Sequence, residues 1–187
     1  MNLELGTDIV SISRIEKVIT KFGISFLERF LLPSEILLTH RDKARFPQMQ
    51  FLYDVDSNNP CKLDYVNENN TNYIPKFFSQ KSVDKYTEDT SYILKEIKQN
   101  FSLNTYRIET IAGFWSAKEA CAKALGTGIG RELGFHDICI IKDKNGKPHI
   151  AIHQTKWYKF NLQKLAISIS HDIQMAFAVC AVILKHN

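Results

Sequence analysis

The segment Trp115-Ser116-Ala117-Lys118-Glu119-Ala120-Cys121-Ala122-Lys123 holds the residues best placed to do chemistry. On a helix, Trp115, Glu119, Ala122 and Lys123 share one side, so Glu119 borders a face that is otherwise apolar. A carboxylate there needs a cation, a metal or hydrogen-bond donors. Its simplest partner is Lys123, since Glu and Lys four apart are a routine surface pair. Asp8 poses the same question where an alternating N-terminal segment ends. Such a carboxylate is commonly a solvated turn residue or a helix cap. Two carboxylates with water and substrate phosphates are, however, what Mg²⁺ prefers to a full protein cage. Spacing alone does not bring positions 8 and 119 together.

Gly126, Gly128, Gly130 and Gly134 follow that segment. They can punctuate turns, or let backbone amides approach a phosphate beside Lys123. The loop follows a helix C-terminus, so the macrodipole does not favour an anion there. His171, after Ser168-Ile169-Ser170, is by residue type more often structural than functional. Arg14, Lys17 and Lys21 fall on one helix face, with Arg29 nearby; a solvated basic face or an acidic partner would account for them.

These residues need elements to hold them. Leu3, Leu5, Thr7 and Ile9 alternate with Glu4, Gly6 and Asp8, which predicts an opening strand. Ser13 and Glu16 form a capping-box pattern, and Ile15, Val18, Ile19 and Phe22 continue a helix that Gly23 ends. Leu32-Pro33-Ser34-Glu35 predicts a second helix start, with Ile36 to Leu38 turned inward. Residues 54–72 hold Asn58, Asn59, Asn67, Asn69, Asn70 and Asn72 with few apolar anchors, which predicts a loop. Val83, Tyr86, Ile93, Leu94, Ile97 and Phe101 return to helical spacing, so 47–104 reads as an insertion that folds back as a helix. Ile108, Ile111, Ala112, Trp115 and Ala122 mark a long helix to Leu125. Ile138–Ile141 and His149–Ile152 flank Asn145-Gly146, a hairpin signal. Leu165, Ile167 and Ile169 alternate, and Met175–Leu184 is continuously apolar, as in a strand covered on both faces. The fold class is α+β, with one domain over 1–187 carrying the insertion.

The 187 residues, 44% hydrophobic and 24% charged, suit one globular domain with a proper core. A net charge of +4 is a mild basic bias without the clustered stripe that nucleic-acid binding requires. Cys61, Cys121, Cys139 and Cys180 contain no C-x-x-C pair, and most lie in apolar runs, as buried thiols in a reducing compartment do. The N-terminus carries Glu4 and Asp8 where a signal peptide needs a basic segment, and Met175–Leu184 is too short to span a membrane as a helix. A cytoplasmic protein is expected.

Four ordered blocks resemble holo-acyl-carrier-protein synthase, the small bacterial 4′-phosphopantetheinyl transferase. They are Gly6-Thr7-Asp8-Ile9-Val10 with Arg14-Ile15; Phe26-Leu27-Glu28-Arg29-Phe30 leading to Pro33-Ser34-Glu35; Trp115 to Lys123 continuing to Gly130; and Ser168-Ile169-Ser170-His171. The resemblance implies the family's fold, an antiparallel sheet against a long helix. It also implies a reaction, in which a carrier-protein serine attacks the β-phosphate of coenzyme A and adenosine 3′,5′-bisphosphate leaves. By the same resemblance Asp8 and Glu119 hold Mg²⁺, and Lys123 stabilises phosphate charge. Gly126, Gly128, Gly130, His171 and Lys123 contact coenzyme A. Arg14, Lys17, Lys21 and Arg29 meet an acidic acyl carrier protein, and the molecule is a homotrimer serving fatty acid biosynthesis and lipid metabolism, with neither nucleic acid nor membrane as a partner. The proton acceptor for the serine is left open between a metal-bound water and one of the carboxylates.

Two departures stand out. The family usually places an arginine where this chain has Phe114; either Arg107, Arg131 or Lys43 is expected to substitute, or coenzyme A is bound more weakly. The insertion at 47–104 is longer than the family's connection. Phe114 also motivates an alternative, a catalytically impaired module that binds carrier protein without transfer.

Overall fold

The computed structural model describes residues 2–41, the backbone of 77–78, and residues 92–143 and 145–185. The Asn-rich segment 54–72, Val83, Tyr86, Lys43, Cys61 and most of the expected insertion lie outside these residues.

The opening alternation forms strand β1 (Asn2–Ser11). Helix α1 (Ile12–Phe22) follows at once and buries Ile15 and Ile19. Its cap is Ser11, not the expected Ser13: Ser11 Oγ accepts from the amide of Arg14. The helix starts earlier than the capping-box pattern suggests because Ile12 already donates to the carbonyl of Gln174 and turns the chain there. Gly23 ends α1 at φ 59°. A short helix α2 (Ile24–Leu27) and α3 (Pro33–Thr39) come next, and α3 turns Ile36 and Leu37 inward as expected. Strand β2 (Phe77–Phe78) and a helix α4 over 92–99 precede the long α5 (Ile108–Ala124). The hairpin forms as β3 (Ile138–Lys142) and β4 (Pro148–His153), closed around Gly146. Helix α6 (Gln154–Lys159) and strands β5 (Leu162–His171) and β6 (Met175–Leu184) complete the chain.

The strands make two sheets, ordered β1-β6-β5 and β2-β4-β3, the first wholly antiparallel. Helix α5 lies across the inner face of the first sheet. The contact is closest at Gly6, where an added Cβ would stand 2.1 Å from the carbonyl oxygen of Ala120 and 2.3 Å from the amide nitrogen of Ala124. Only a residue without a side chain allows that approach. Phe26, Phe30, Trp115 and Phe135 form an aromatic cluster that ties the loop before α3 to the helix, with neighbouring ring centroids 4.8–6.0 Å apart.

The expectation that Met175–Leu184 is covered on both faces is met on one only. Ala176, Ala178, Cys180 and Val182 are buried under α5, whereas Phe177 on the other face is exposed. Beside it on β1, Leu3, Leu5 and Ile9 are 60%, 63% and 59% exposed. The helical layer lies on the inner face alone, so the outer face of this sheet is uncovered among the described residues.

Candidate active site

β1 and α5 bring Asp8, Glu119 and Lys123 to one place. Asp8 lies on the inner face of β1, two residues beyond Gly6, so the close packing at Gly6 holds its carboxylate against the last two turns of α5. Lys123 Nζ donates to Asp8 Oδ1 at 2.7 Å. That hydrogen bond is the main cause of the raised Lys123 pKa. Glu119 is half-buried, and burial followed by the charge of Asp8 pushes its pKa up, against the pull of Lys123. The ammonium of Lys123 therefore bonds Asp8 rather than Glu119, its neighbour four residues back on the helix.

The donor set suits a hard divalent cation. Two carboxylates face one ammonium, and the charge of Asp8 is felt at Glu119. Among the described residues no group of three or more His, Cys, Asp or Glu gathers to hold a metal. A cation here would thus take two protein carboxylates and fill its shell with water and substrate oxygens, the arrangement Mg²⁺ commonly adopts.

The glycine loop is a helix stop first. Gly126 and Gly128 adopt φ 71° and 63°, which side chains rarely tolerate. The amides of Gly126, Thr127 and Gly128 donate to the carbonyls of Lys123 and Ala122, and Gly130 donates to Leu133. Those amides are used within the chain. The outer side of the loop is open, since a Cβ at Gly126, Gly128 or Gly130 would meet nothing within 4 Å. His171 is exposed and pairs in register with Ala176, which pairs with Val10. It therefore stands at the same end of the sheet as Asp8, on the order of 12 Å away across two strands.

Arg14, Lys17, Lys21 and Arg29 are all exposed or half-exposed. Lys21 and Arg29 converge on one ring: their charged ends lie 5.1 and 5.8 Å from the centroid of the exposed Phe22. This joins Arg29 to the basic face of α1.

Residues 62–178 match the model of the 4′-phosphopantetheinyl transferase superfamily. The holo-[acyl-carrier-protein] synthase of Nitratiruptor sp. is 35% identical over 179 residues, covering 96% of this chain and 97% of that one. That of Wolinella succinogenes is 35% identical over 177 residues, covering 95% and 94%. Among solved structures, Helicobacter pylori holo-[acyl-carrier-protein] synthase in complex with coenzyme A is 34% identical with a TM-score of 0.58, covering 96% of this chain and 99% of that chain. The chain belongs to the 4′-phosphopantetheinyl transferase superfamily, among the holo-[acyl-carrier-protein] synthases.

As a phosphopantetheinyl transferase it is an enzyme of the predicted family and fold class. Two contributors to the site, and a buried ion pair beside α3, are missed by reasoning from the sequence. Gly6 sets the approach of β1 to α5. Ser116, fully buried, donates from Oγ to the carbonyl of Asp8 at 2.6 Å. Lys118 and Glu35, both fully buried, form an ion pair at 2.6 Å. Lys118 also donates to the carbonyls of Phe30 and Phe135, and Glu35 accepts from the amides of Leu32 and Ile140. Burial pushes the Glu35 pKa up, while Lys118 and the two amides pull it down. The one signal for these residues in the sequence is their presence in the family-like blocks.

Phe114, where the transferase family places an arginine, is core: it is 1% exposed, with Lys142 Nζ 5.5 Å from its ring centroid. Of the expected substitutes, Arg107 turns its guanidinium to the carbonyl of Arg41 and Arg131 is exposed.

Proposed function

We propose that this protein transfers the 4′-phosphopantetheine of coenzyme A to a serine of an apo-acyl-carrier protein, Mg²⁺-dependently, with adenosine 3′,5′-bisphosphate as the leaving product. The observation that carries the reading is the meeting of Asp8, Glu119 and Lys123 at the crossing of β1 and α5. On this reading Asp8 and Glu119 would hold Mg²⁺, which when bound neutralises charge on the pyrophosphate oxygens. Phosphoryl transfer asks the protein chiefly for positioning and charge stabilisation. Lys123, half exposed one helical turn from Glu119, is placed to meet phosphate oxygens. The open side of Gly126, Gly128 and Gly130, with His171 at the same end of the sheet, would receive the rest of coenzyme A. The serine hydroxyl loses its proton to a bound water or to one of the two carboxylates.

Arg14, Lys17, Lys21 and Arg29 would dock an acidic carrier protein, with charge steering the encounter. The uncovered apolar face of β1 and β6 suits a homotrimer with sites between subunits; Leu5→Asp should then lower the mass measured by light scattering, and an unchanged mass would reject that assembly. A role in fatty acid biosynthesis follows from the carrier substrate. Cys121, Cys139 and Cys180 are buried thiols, in keeping with a cytoplasmic site, and no described helix is long and apolar enough to cross a membrane. Recovery of the protein with sedimented membranes would overturn that placement.

The test is to mix the protein, Mg²⁺, coenzyme A and apo-carrier protein and weigh the carrier by mass spectrometry. A gain of one phosphopantetheine is expected, and Glu119→Gln should abolish most of it. No gain with wild-type protein would leave the alternative, a module that binds carrier without transfer, motivated by Phe114.

A further inference from the structure

Lys123 makes a contact that stabilising phosphate does not require. Its ammonium is bonded to Asp8 Oδ1 at 2.7 Å. The two partners differ in freedom: the Asp8 side chain is 14% exposed and its strand is pinned under α5, whereas Lys123 is 48% exposed. A lysine ammonium rides on a flexible four-carbon stem and rotates its donors easily. The carboxylate is thus the fixed partner and the ammonium the movable one. The carboxylate that Lys123 holds is also a ligand to the cation in the reading above. Two cations on one carboxylate repel each other, so each weakens the hold of the other.

We propose that Lys123 is the exchangeable counter-ion of Asp8: it yields that carboxylate to a divalent cation and turns its ammonium to the phosphate oxygens of the substrate. This rests on the reading of Asp8 and Glu119 as metal ligands and deepens it. Lys123 then acts with opposite signs on two quantities. It competes with the cation in the absence of coenzyme A and assists transfer in its presence. Reciprocity requires that coenzyme A, by drawing off the ammonium, tighten cation binding in turn.

The experiment titrates Mn²⁺ alone into the coenzyme-A-free protein and follows water-proton relaxation. It compares wild type with Lys123→Met, Lys123→Gln, Lys123→Arg and the double variant Asp8→Asn/Glu119→Gln, with Tm recorded for each. Lys123→Met and Lys123→Gln should bind Mn²⁺ about fivefold tighter than wild type, the scale of a half-exposed ion pair, while turnover falls. Lys123→Arg keeps a competing cation and should bind no tighter than wild type. Equal or weaker Mn²⁺ binding by both neutral variants overturns the inference. Wild-type binding no stronger than that of the double variant overturns the metal-ligand reading itself, and the inference with it.

Discussion

Ser116 Oγ lies 2.6 Å from the main-chain carbonyl oxygen of Asp8, a hydrogen bond between residues 108 positions apart in the chain. Ser116 is buried on α5, one turn before Glu119, so one side chain fixes the backbone that carries the opposing carboxylate. Ser116→Ala removes that tie without adding bulk. Groups that orient metal ligands typically contribute about 10- to 100-fold in affinity or activity. Ser116→Ala should therefore raise the Mg²⁺ concentration needed for half-maximal transfer by about tenfold while the protein stays folded. An unchanged Mg²⁺ dependence would leave the serine a packing role only.

The Lys118–Glu35 pair should dominate the stability of the region around α3. Removing one partner of a buried pair leaves an uncompensated charge and costs about 3–5 kcal/mol. Lys118→Met alone should lose that much in urea unfolding. Lys118→Met/Glu35→Leu should lose less than the sum of the single losses, although the amides of Leu32 and Ile140 are still left without their acceptor. Simple additivity would mean that the two charges are solvated independently.

Charge reversal on α1 offers a separable prediction. Arg14→Glu/Lys17→Glu should raise the KM for the carrier protein by about tenfold or more and leave the KM for coenzyme A unchanged, since rim charges act on encounter. The difference from wild type should shrink at high salt. A parallel rise in both KM values would place the face at the coenzyme A site instead.

His153 supplies a pH prediction. It caps α6, with Nδ1 accepting from the amide of Thr155, and burial lowers its pKa. The folded state therefore prefers the neutral ring. As pH falls through the ordinary histidine range, the unfolded chain takes up the proton first, so stability falls with acidification. His153→Asn keeps a capping acceptor that does not titrate and should flatten the slope of Tm against pH between about 5 and 7. A slope identical to wild type would assign the acid sensitivity to other groups.

The periodic elements are legible in the sequence. β1, α1, α5, the β3–β4 hairpin and β5 follow from spacing, because alternation and helical periodicity are local properties of a chain that must bury one side of each element. The cap of α1 is not: Ser13 with Glu16 matches a local pattern, but the cap lies two residues earlier, where a hydrogen bond from Ile12 to distant Gln174 sets the turn. The apolar composition of Met175–Leu184 implies cover on both faces, yet only one is covered among the described residues. Composition does not say whether the second cover comes from the same chain.

The candidate site divides in the same way. From its residues alone, the chain declares two unusual carboxylates, a lysine one turn from the second, and a basic face on the first helix; four ordered blocks tie these to a family. Only the tertiary structure decides that Lys123 bonds Asp8 rather than Glu119, that the amides of Gly126, Thr127 and Gly128 cap their own helix, and that Ser116 and Gly6 hold the two halves of the site together. Local spacing governs what lies within a few turns. Contacts between positions 8 and 116–124 exist only once burial has laid α5 across β1, and no local pattern carries that information.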